Sequence, residues 1–518
     1  MEYPETAFRP TIPDALHHAV EISGSRPFIV TPARRMTYAE AEVGSRHLAK
    51  RMLAAGMGKG TRVGLYFTYG QEWVVAWLAA SRIGALVMPL ATTYRPSEIR
   101  KVLRIGDIDT LIMASTVLGK DMQQMLEDSV PGLAEATGPE LFLADTPSLR
   151  SVWVTGDTDR VWATPVDLEA AADLPAGITD ELLAQLEAEV VPADLAQVTY
   201  TSGSSADPKG VVHTHGTVIR ATAGMSALMV PGSEPPVFFC AFPFFWIGGT
   251  LILGAALQTG ATVLVIERFE PGAALAMIEE HQATSVMGWP SLIQAMRDDP
   301  SFATRKLPEI PGLTMGPADT ALASTPVPGI PGHRGMSETV GNIMSVQHRA
   351  IDPDTGDDVP DMEEGELLVR GYGLMHGYYK KERHEVFDDD GWLHTGDRVF
   401  IHGGRPYFVG RFTEMVKSQG ANVAPREVEL FLEETFPEIL YAFVVGMPHP
   451  ERGEEVTAVL VAAQGHEIDA ADVQRRSREQ ISGFKVPTRI EIWNEADVPW
   501  LGSGKPDKLA IRTRLDGG

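Results

Sequence analysis

One stretch of the chain concentrates hydroxyls, glycines and a lysine: Val198-Thr199-Tyr200-Thr201-Ser202-Gly203-Ser204-Ser205-Ala206-Asp207-Pro208-Lys209-Gly210. Hydroxyls and free backbone N–H groups can surround phosphate oxygens, glycine permits a close approach, and Lys209 adds a point charge. A plain solvent loop of Ser and Gly is the competing reading; the β-prone run leading in and the lysine weigh against it. The spacing is not that of a Walker A loop, which needs G-x-x-x-x-G-K-S/T with a helix following at once, whereas here Lys209 precedes Gly210 and Val211 follows. Two other glycine clusters also fail. Gly56-Met57-Gly58-Lys59-Gly60 lacks the dinucleotide spacing, and Gly335-Met336-Ser337-Glu338-Thr339 has the outline of a nucleophile elbow but ends in Thr instead of Gly.

The elements that must hold such a loop are legible on either side of it. Thr37 followed by Glu40 is a capping box, opening a helix that stops at Gly56. Arg62–Phe67 reads as a strand, Gln71–Ile83 as a helix ended by Gly84, and Leu86–Met88 as a further strand. This β-α-β rhythm implies helices packed on a largely parallel sheet. From about Val117 to Pro192 periodicity weakens, and the segment reads as a variable excursion with a short helix near Asp180–Glu189. The last hundred residues form a smaller α/β pattern, with strands at Leu440–Gly446 and Val456–Ala463 and a helix at Ala471–Ile481. No fixed-period repeat is visible.

Composition bounds what the loop can serve. At roughly 150 residues per domain, 518 residues predict three or four folding units, or one large α/β unit with a smaller partner. A net charge of −25 argues against general binding to nucleic acid or anionic membrane, but leaves room for a small anionic ligand at a few focused cations. The single cysteine, Cys240, excludes internal disulfides and a Cys-rich zinc site and fits a reducing compartment. The N-terminus lacks the apolar core of a secretory signal, and Leu515-Asp516-Gly517-Gly518 is not a Ser-Lys-Leu address, so a cytoplasmic location is expected. Pro235–Ile266 carries no charge until Glu267 and is long enough for a membrane span. Its Pro and Gly residues instead predict a helix over about Thr250–Leu257, a glycine-capped end and a buried strand at Ala261–Ile266.

The hydroxyl loop resembles the phosphate loop of the adenylate-forming superfamily, which includes acyl-CoA synthetases, aryl-CoA ligases, adenylation domains and luciferases. Thr201, Ser202, Gly203, Ser204, Ser205, Pro208, Lys209 and Gly210 match that pattern, whereas Ala206 stands where the family usually has Gly. If that position needs a positive φ, alanine costs on the order of 1 kcal/mol. Further segments resemble the family in the same order. Arg334-Gly335-Met336-Ser337-Glu338 is similar to its Y-G-M-T-E segment. The resemblance implies that Glu338 helps hold Mg²⁺ beside the triphosphate of ATP. It puts Ser337 near the α-phosphate or the substrate carboxylate. Arg334 replaces the aromatic that stacks on adenine, and a guanidinium can also lie flat on a purine. Gly316-Pro317 is similar to the adenine-contacting G-A-P segment. Trp392–Asp397 resembles W-x-x-T-G-D, which implies that Asp397 accepts from the ribose hydroxyls.

The segment Tyr407–Lys417 resembles the family's hinge, with Arg411 at the ribose or phosphate and Glu414 as the pivot. Gly420 and the residues to Glu429 resemble the loop that enters the site for thioester formation, where Gly420 leaves room for a pantetheine arm. Pro499–Lys505 resembles the P-x-x-x-S-G-K segment, whose lysine, here Lys505, serves adenylate formation. Arg452-Gly453-Glu454 and Phe484-Lys485-Val486-Pro487 match two turns that support coenzyme A, with Lys485 facing the CoA side.

Amino-acid adenylation domains usually carry an Asp near position 242; here Phe242-Pro243-Phe244-Phe245-Trp246-Ile247-Gly248-Gly249 has no acid, so an ammonium would stand unpaired in an apolar wall. The segment resembles that of acyl- and aryl-CoA ligases, with Trp246 replacing a common His and narrowing the acyl tunnel; plain core packing is its alternative. Trp246, Gly288, Met336 and Val340 are the pocket candidates. The resemblance implies an α/β enzyme with a large multi-subdomain N-terminal domain of parallel sheets (1–410) and a small mobile C-terminal α/β domain (411–518). It implies an AMP-forming acid:CoA ligase acting on a small carboxylic acid with ATP, Mg²⁺ and coenzyme A. Lys209, the loop hydroxyls, Lys505 and Glu338 would support transfer at the α-phosphate. The small domain would then rotate about Glu414 for thioester formation. Two alternatives stand beside this: an adenylating enzyme that loads a carrier protein, and a weakly active or non-catalytic nucleotide-binding relative. The sequence is silent on oligomeric state.

Overall fold

The computed structural model describes residues 6–168, 170–171, 174–201, 208–229, 234–288, 290–315, 324–326, 334–336, 346–412, 415–418, 421–449, 453–481, 483–500 and 506–516. The chain forms two compact units. One comprises 1–323, 339–346 and 371–386; the other comprises 324–338, 347–370 and 387–518.

The first unit is built on two large sheets, beside a two-stranded ribbon of Thr116–Val117 and Lys120–Asp121. The larger has eight strands in the order Gly377–Tyr378, Lys209–Thr214, Leu195–Thr201, Leu86–Pro89, Arg62–Tyr66, Thr110–Ala114, Ser151–Thr155, Ala163–Pro165. Neighbours from Leu195–Thr201 onward run parallel, and the two strands before it run antiparallel. The helix Gln71–Arg82 crosses between Arg62–Tyr66 and Leu86–Pro89 and is buried along its length, as a crossover covered on all sides must be. The capping box forms: Thr37 Oγ1 accepts the Glu40 N–H at 3.2 Å, and Glu40 Oε2 accepts the Thr37 N–H at 2.7 Å, opening the helix Tyr38–Ala54. The second sheet has the order Ser285–Met287, Val237–Cys240, Thr262–Leu264, Pro27–Val30, Arg35–Thr37, parallel except at Arg35–Thr37. The uncharged stretch folds as the helix Ile247–Thr259, a left-handed Gly260 and the buried strand Thr262–Leu264. Among the described residues no helix is long and apolar enough to cross a membrane.

The segment 117–192 corrects the sequence reading. Ser151–Thr155 and Ala163–Pro165 are strands of the main sheet. The first, Ser-Val-Trp-Val-Thr, has four of its five residues buried; a strand covered on both faces shows no alternation for periodicity to detect. The expected helix Asp180–Glu189 is present. It is pinned by Glu187, whose carboxylate takes the Arg82 guanidinium and lies 2.8 Å from His17 Nε2. Burial alone would push the Glu187 carboxyl up; the hydrogen bond from His17 and the charge of Arg82 outweigh it and hold the group below its ordinary value.

The second unit also has two sheets. One is ordered Ser324–Pro326, Arg334–Met336, Arg405–Arg411, Leu393–His402, Glu364–Gly371, Val346–Ile351, and its registered neighbours run antiparallel, an arrangement the sequence rhythm did not suggest. The other joins Ala421–Val423, Val416–Ser418, Gly453–Ala462 and Ile439–His449, with Arg489–Ile492 parallel to Gly453–Ala462. The helices Pro425–Thr435, Ala470–Arg478 and Lys508–Asp516 accompany it. Val428, Leu432 and Phe436 make its core on one side, and Phe443, Val459, Ile511 and Leu515 on the other.

Candidate active site

In the first unit Leu195–Thr201 and Lys209–Thr214 form an antiparallel hairpin in which Thr201 is the register partner of Lys209. The hydroxyl loop therefore leaves and returns at one residue pair, with Lys209 at its mouth; Ser202, Gly203, Ser204, Ser205 and Ala206 lie outside the described residues. The helix His215–Met229 begins only after the returning strand. A loop between two antiparallel strands, and not between a strand and a helix, is why the Walker A spacing is absent. Lys209 Nζ lies 5.3 Å over the ring of Tyr378 on the neighbouring strand, within cation–π range.

The strand entering the loop is tied to the apolar segment by residues the sequence reading passed over. Gln197 is fully buried, and its Nε2 donates to Thr199 Oγ1 and to Thr250 Oγ1, both at 3.0 Å. Thr250 stands in the first turn of the helix Ile247–Thr259, and its hydroxyl donates toward Phe244 O at 3.2 Å and Trp246 O at 3.3 Å. A glutamine in a strand and a threonine in an apolar helix carry no pairing signal in one dimension.

The segment Ala241–Gly249 follows the C-terminal end of Val237–Cys240, the edge of a parallel sheet where ligands are commonly received. Phe244 is fully buried, 5.5 Å from Trp73 and 6.0 Å from Tyr69 in ring centroids, so it is core. Trp246 is half-buried and caps the following helix through its backbone. Gly249 has to be glycine: a Cβ there would stand 2.3 Å from Pro243 O. Gly288 extends the adjacent strand Ser285–Met287, where Ala241 N donates to Met287 O at 2.7 Å, and a Cβ on Gly288 would meet Ala241 Cβ at 3.0 Å. The structure thus brings Gly288 and the Trp246 segment to one end of one sheet. Burial pushes the Cys240 thiol beside them up to about 12, so it is not a ready nucleophile.

In the second unit three motif segments become adjacent strands. Gly335 is the register partner of Tyr407, and Asp397 is the register partner of Arg411. The Thr-Gly before Asp397 has a local cause. Thr395 Oγ1 donates to Leu367 O at 2.7 Å and accepts the Asp397 N–H at 3.1 Å, and Gly396 adopts φ +70°, where a side chain would be strained. Trp392 is buried beneath the guanidinium of Arg370 at 4.5 Å, a packing role. Arg334 and Met336 share the strand beside Tyr407. Gly316, Ser337, Glu338, Val340, Glu414, Gly420 and Lys505 lie outside the described residues, Gly420 within the two-residue connection of the hairpin Val416–Ser418/Ala421–Val423. Lys485 Nζ pairs with Glu427 Oε1 at 2.5 Å, Glu427 standing in the first turn of Pro425–Thr435. Among the described residues no group of three His, Cys, Asp or Glu is gathered as for a metal ion.

A family model described as AMP-binding enzyme matches residues 16–316, more than half of the chain, and one described as AMP-binding enzyme C-terminal domain matches residues 427–505. Among curated relatives, the 3-(7a-methyl-1,5-dioxo-octahydro-1H-inden-4-yl)propanoyl:CoA ligase of Mycobacterium tuberculosis is 29% identical, over 97% of this chain and 98% of that protein. 4-Coumarate–CoA ligase 3 of Oryza sativa subsp. japonica is 26% identical, over 96% of this chain and 90% of that protein. Among solved structures, the amide bond synthetase McbA of Marinactinospora thermotolerans superposes with a TM-score of 0.76 at 23% identity, over 97% of this chain and 99% of that one, which establishes a shared fold.

Proposed function

Since this chain belongs to the family of AMP-binding enzymes and is a ligase, we propose that it is an AMP-forming acid:CoA ligase that activates a small carboxylic acid as an acyl-adenylate and transfers the acyl group to coenzyme A. The observation that carries this reading is that CoA ligases match nearly the whole length of the chain, including its C-terminal domain.

In the first half-reaction the acid's carboxylate attacks the α-phosphorus of ATP and pyrophosphate leaves; no protein nucleophile is consumed. Lys209 at the hairpin mouth, the loop hydroxyls and Lys505 meet the charge that develops on the phosphate oxygens. Asp397 holds the ribose hydroxyls, with Arg411 as its neighbour across the strand pair. Arg334 and Gly316 take the adenine side, and Ser337 the α-phosphate or the carboxylate. Glu338 supplies a hard carboxylate for Mg²⁺, which when bound neutralises phosphate charge; one carboxylate plus phosphate oxygens suits an ion carried in by the nucleotide. In the second half-reaction the CoA thiolate attacks the acyl carbonyl and AMP leaves. We assign Gly420 to the pantetheine path, Lys485 to the CoA side and Glu414 to the hinge on which residues 411–518 turn between the two steps.

The acid site has an uncharged wall. Trp246 and Gly288 at the sheet's end, with Met336 and Val340, favour an apolar acyl body, because the segment bearing Trp246 has no carboxylate to pair an ammonium. A cytoplasmic setting suits a chain with one buried cysteine. The reading is tested by pyrophosphate release across a panel of carboxylic acids, with and without CoA. Acid-dependent release together with a CoA thioester product is expected; no release with any acid, or a thioester formed only on a carrier protein, would overturn it.

A further inference from the structure

Resting on the reading above, in which Lys505 serves adenylate formation and the Gly420 loop serves thioester formation, we infer that the ion pair Glu429–Lys508 is a positioning strut that sets where Lys505 is presented.

Glu429 lies on the helix Pro425–Thr435, which begins two residues after the hairpin carrying Gly420. Its carboxylate is buried, and Oε1 accepts the Val444 N–H at 2.9 Å, seating it on the strand Ile439–His449. Lys508 Nζ reaches that same oxygen at 2.6 Å. Arg426 Nη1 lies 3.4 Å from the other oxygen and 3.4 Å from Glu433 Oε2. The acid thus faces two cations, of which only Lys508 comes from the Lys505 side.

Lys508 opens the helix Lys508–Asp516, three residues after Lys505. The described residues on either side of 501–505 are joined in a neck. Trp500 and Pro506 are bridged antiparallel, and Asp507 N donates to Pro499 O at 2.9 Å. Trp500 packs edge-on against Tyr441 at 5.8 Å and Phe443 at 5.7 Å, on the strand that also bears Val444. One side of the neck is therefore held by aromatic packing, which tolerates sliding. The other is held by a charge pair, which accepts one register of the last helix against Pro425–Thr435. A buried carboxylate is costly unless paired, so filling space alone would favour an apolar residue at position 429.

Removing Lys508 leaves Glu429 with Arg426 and the Val444 N–H but frees the neck. A misplacement of about 1 Å in a positioned group costs on the order of 100-fold in rate. The experiment uses the full chain and measures the half-reactions separately, as acid-dependent ATP–pyrophosphate exchange and as thioester formation from supplied acyl-adenylate. Lys508→Met is expected to lower the exchange kcat by about 10- to 100-fold with the ATP KM within about twofold, and to leave thioester formation within about threefold. Lys508→Arg should restore exchange. The double variant Glu429→Gln/Lys508→Met, which removes both charges yet keeps an oxygen for Val444, should match the single variant and carries the test if Lys508→Met does not fold. Equal loss of both half-reactions, or no loss in a folded variant, would overturn the strut. A wild-type chain that performs neither half-reaction would instead overturn the functional reading.

Discussion

Acid should unseat the arm that begins at Lys209, and the size of the effect follows from His215. This ring opens the helix His215–Met229 directly after the strand Lys209–Thr214, is fully buried, and accepts the Ile12 N–H at Nδ1 over 3.3 Å. An acceptor at Nδ1 requires the neutral ring with its proton on Nε2; a second proton would point at the Ile12 N–H. Burial pushes the ring from 6.5 down to about 4. Between these values the unfolded chain binds a proton at this position and the folded chain does not. Its contribution is therefore intact above pH 6.5 and is lost as the pH falls toward 4. At roughly 1.4 kcal/mol for each pH unit between these two values, the contribution is about 3 kcal/mol, a large part of a typical net stability of about 5–15 kcal/mol. His213, on the same strand, is pushed to about 4 by burial alone and adds a comparable slope. The measurement is urea unfolding at intervals from pH 7 to pH 5, comparing wild type with His215→Asn, whose side-chain oxygen can replace the Nδ1 acceptor without titrating. The variant should have a lower baseline, and from pH 6.5 to 5.5 it should lose about 1 kcal/mol less than wild type, because the unfolded ring is already half protonated at pH 6.5. Parallel curves for the two proteins would refute the assignment of this linkage to His215.

Other perturbations separate the proposed roles. Lys505→Ala should reduce adenylate formation by more than about 100-fold while sparing thioester formation from supplied acyl-adenylate, and equal loss in both assays would remove that role. Trp246→Ala should shift the preference among acid chain lengths and leave the ATP KM within about twofold; an unchanged acid profile would make Trp246 plain core. Asp397→Asn keeps the turn built by Thr395 and Gly396 but weakens a charged hydrogen bond to ribose, worth about 1.5–3 kcal/mol, so the ATP KM should rise by roughly 10- to 100-fold with the acid KM unaffected.

Some of this protein was legible without coordinates because it is local. A capping box, a glycine-ended helix and a hydroxyl loop closed by Lys209 each depend on residues within a few positions, and each is read from side-chain type and spacing alone. The order of the motifs, and so the family, is also a property of the chain. What the tertiary structure decided is non-local. Strand register makes Asp397 the partner of Arg411 and sets Arg334–Met336 beside Tyr407. Parallel pairing brings Gly288 to Ala241. Gln197 ties the loop-bearing strand to Thr250 across 53 residues, and Lys508 meets Glu429 from the far end of the chain. The strand Ser151–Thr155 escaped pattern reading for the same reason: burial on both faces erases the alternation that would announce it. The sequence specifies which groups can do chemistry. Packing, which rewards contacts between distant segments and penalises buried polar atoms left unpaired, decides which of them stand together.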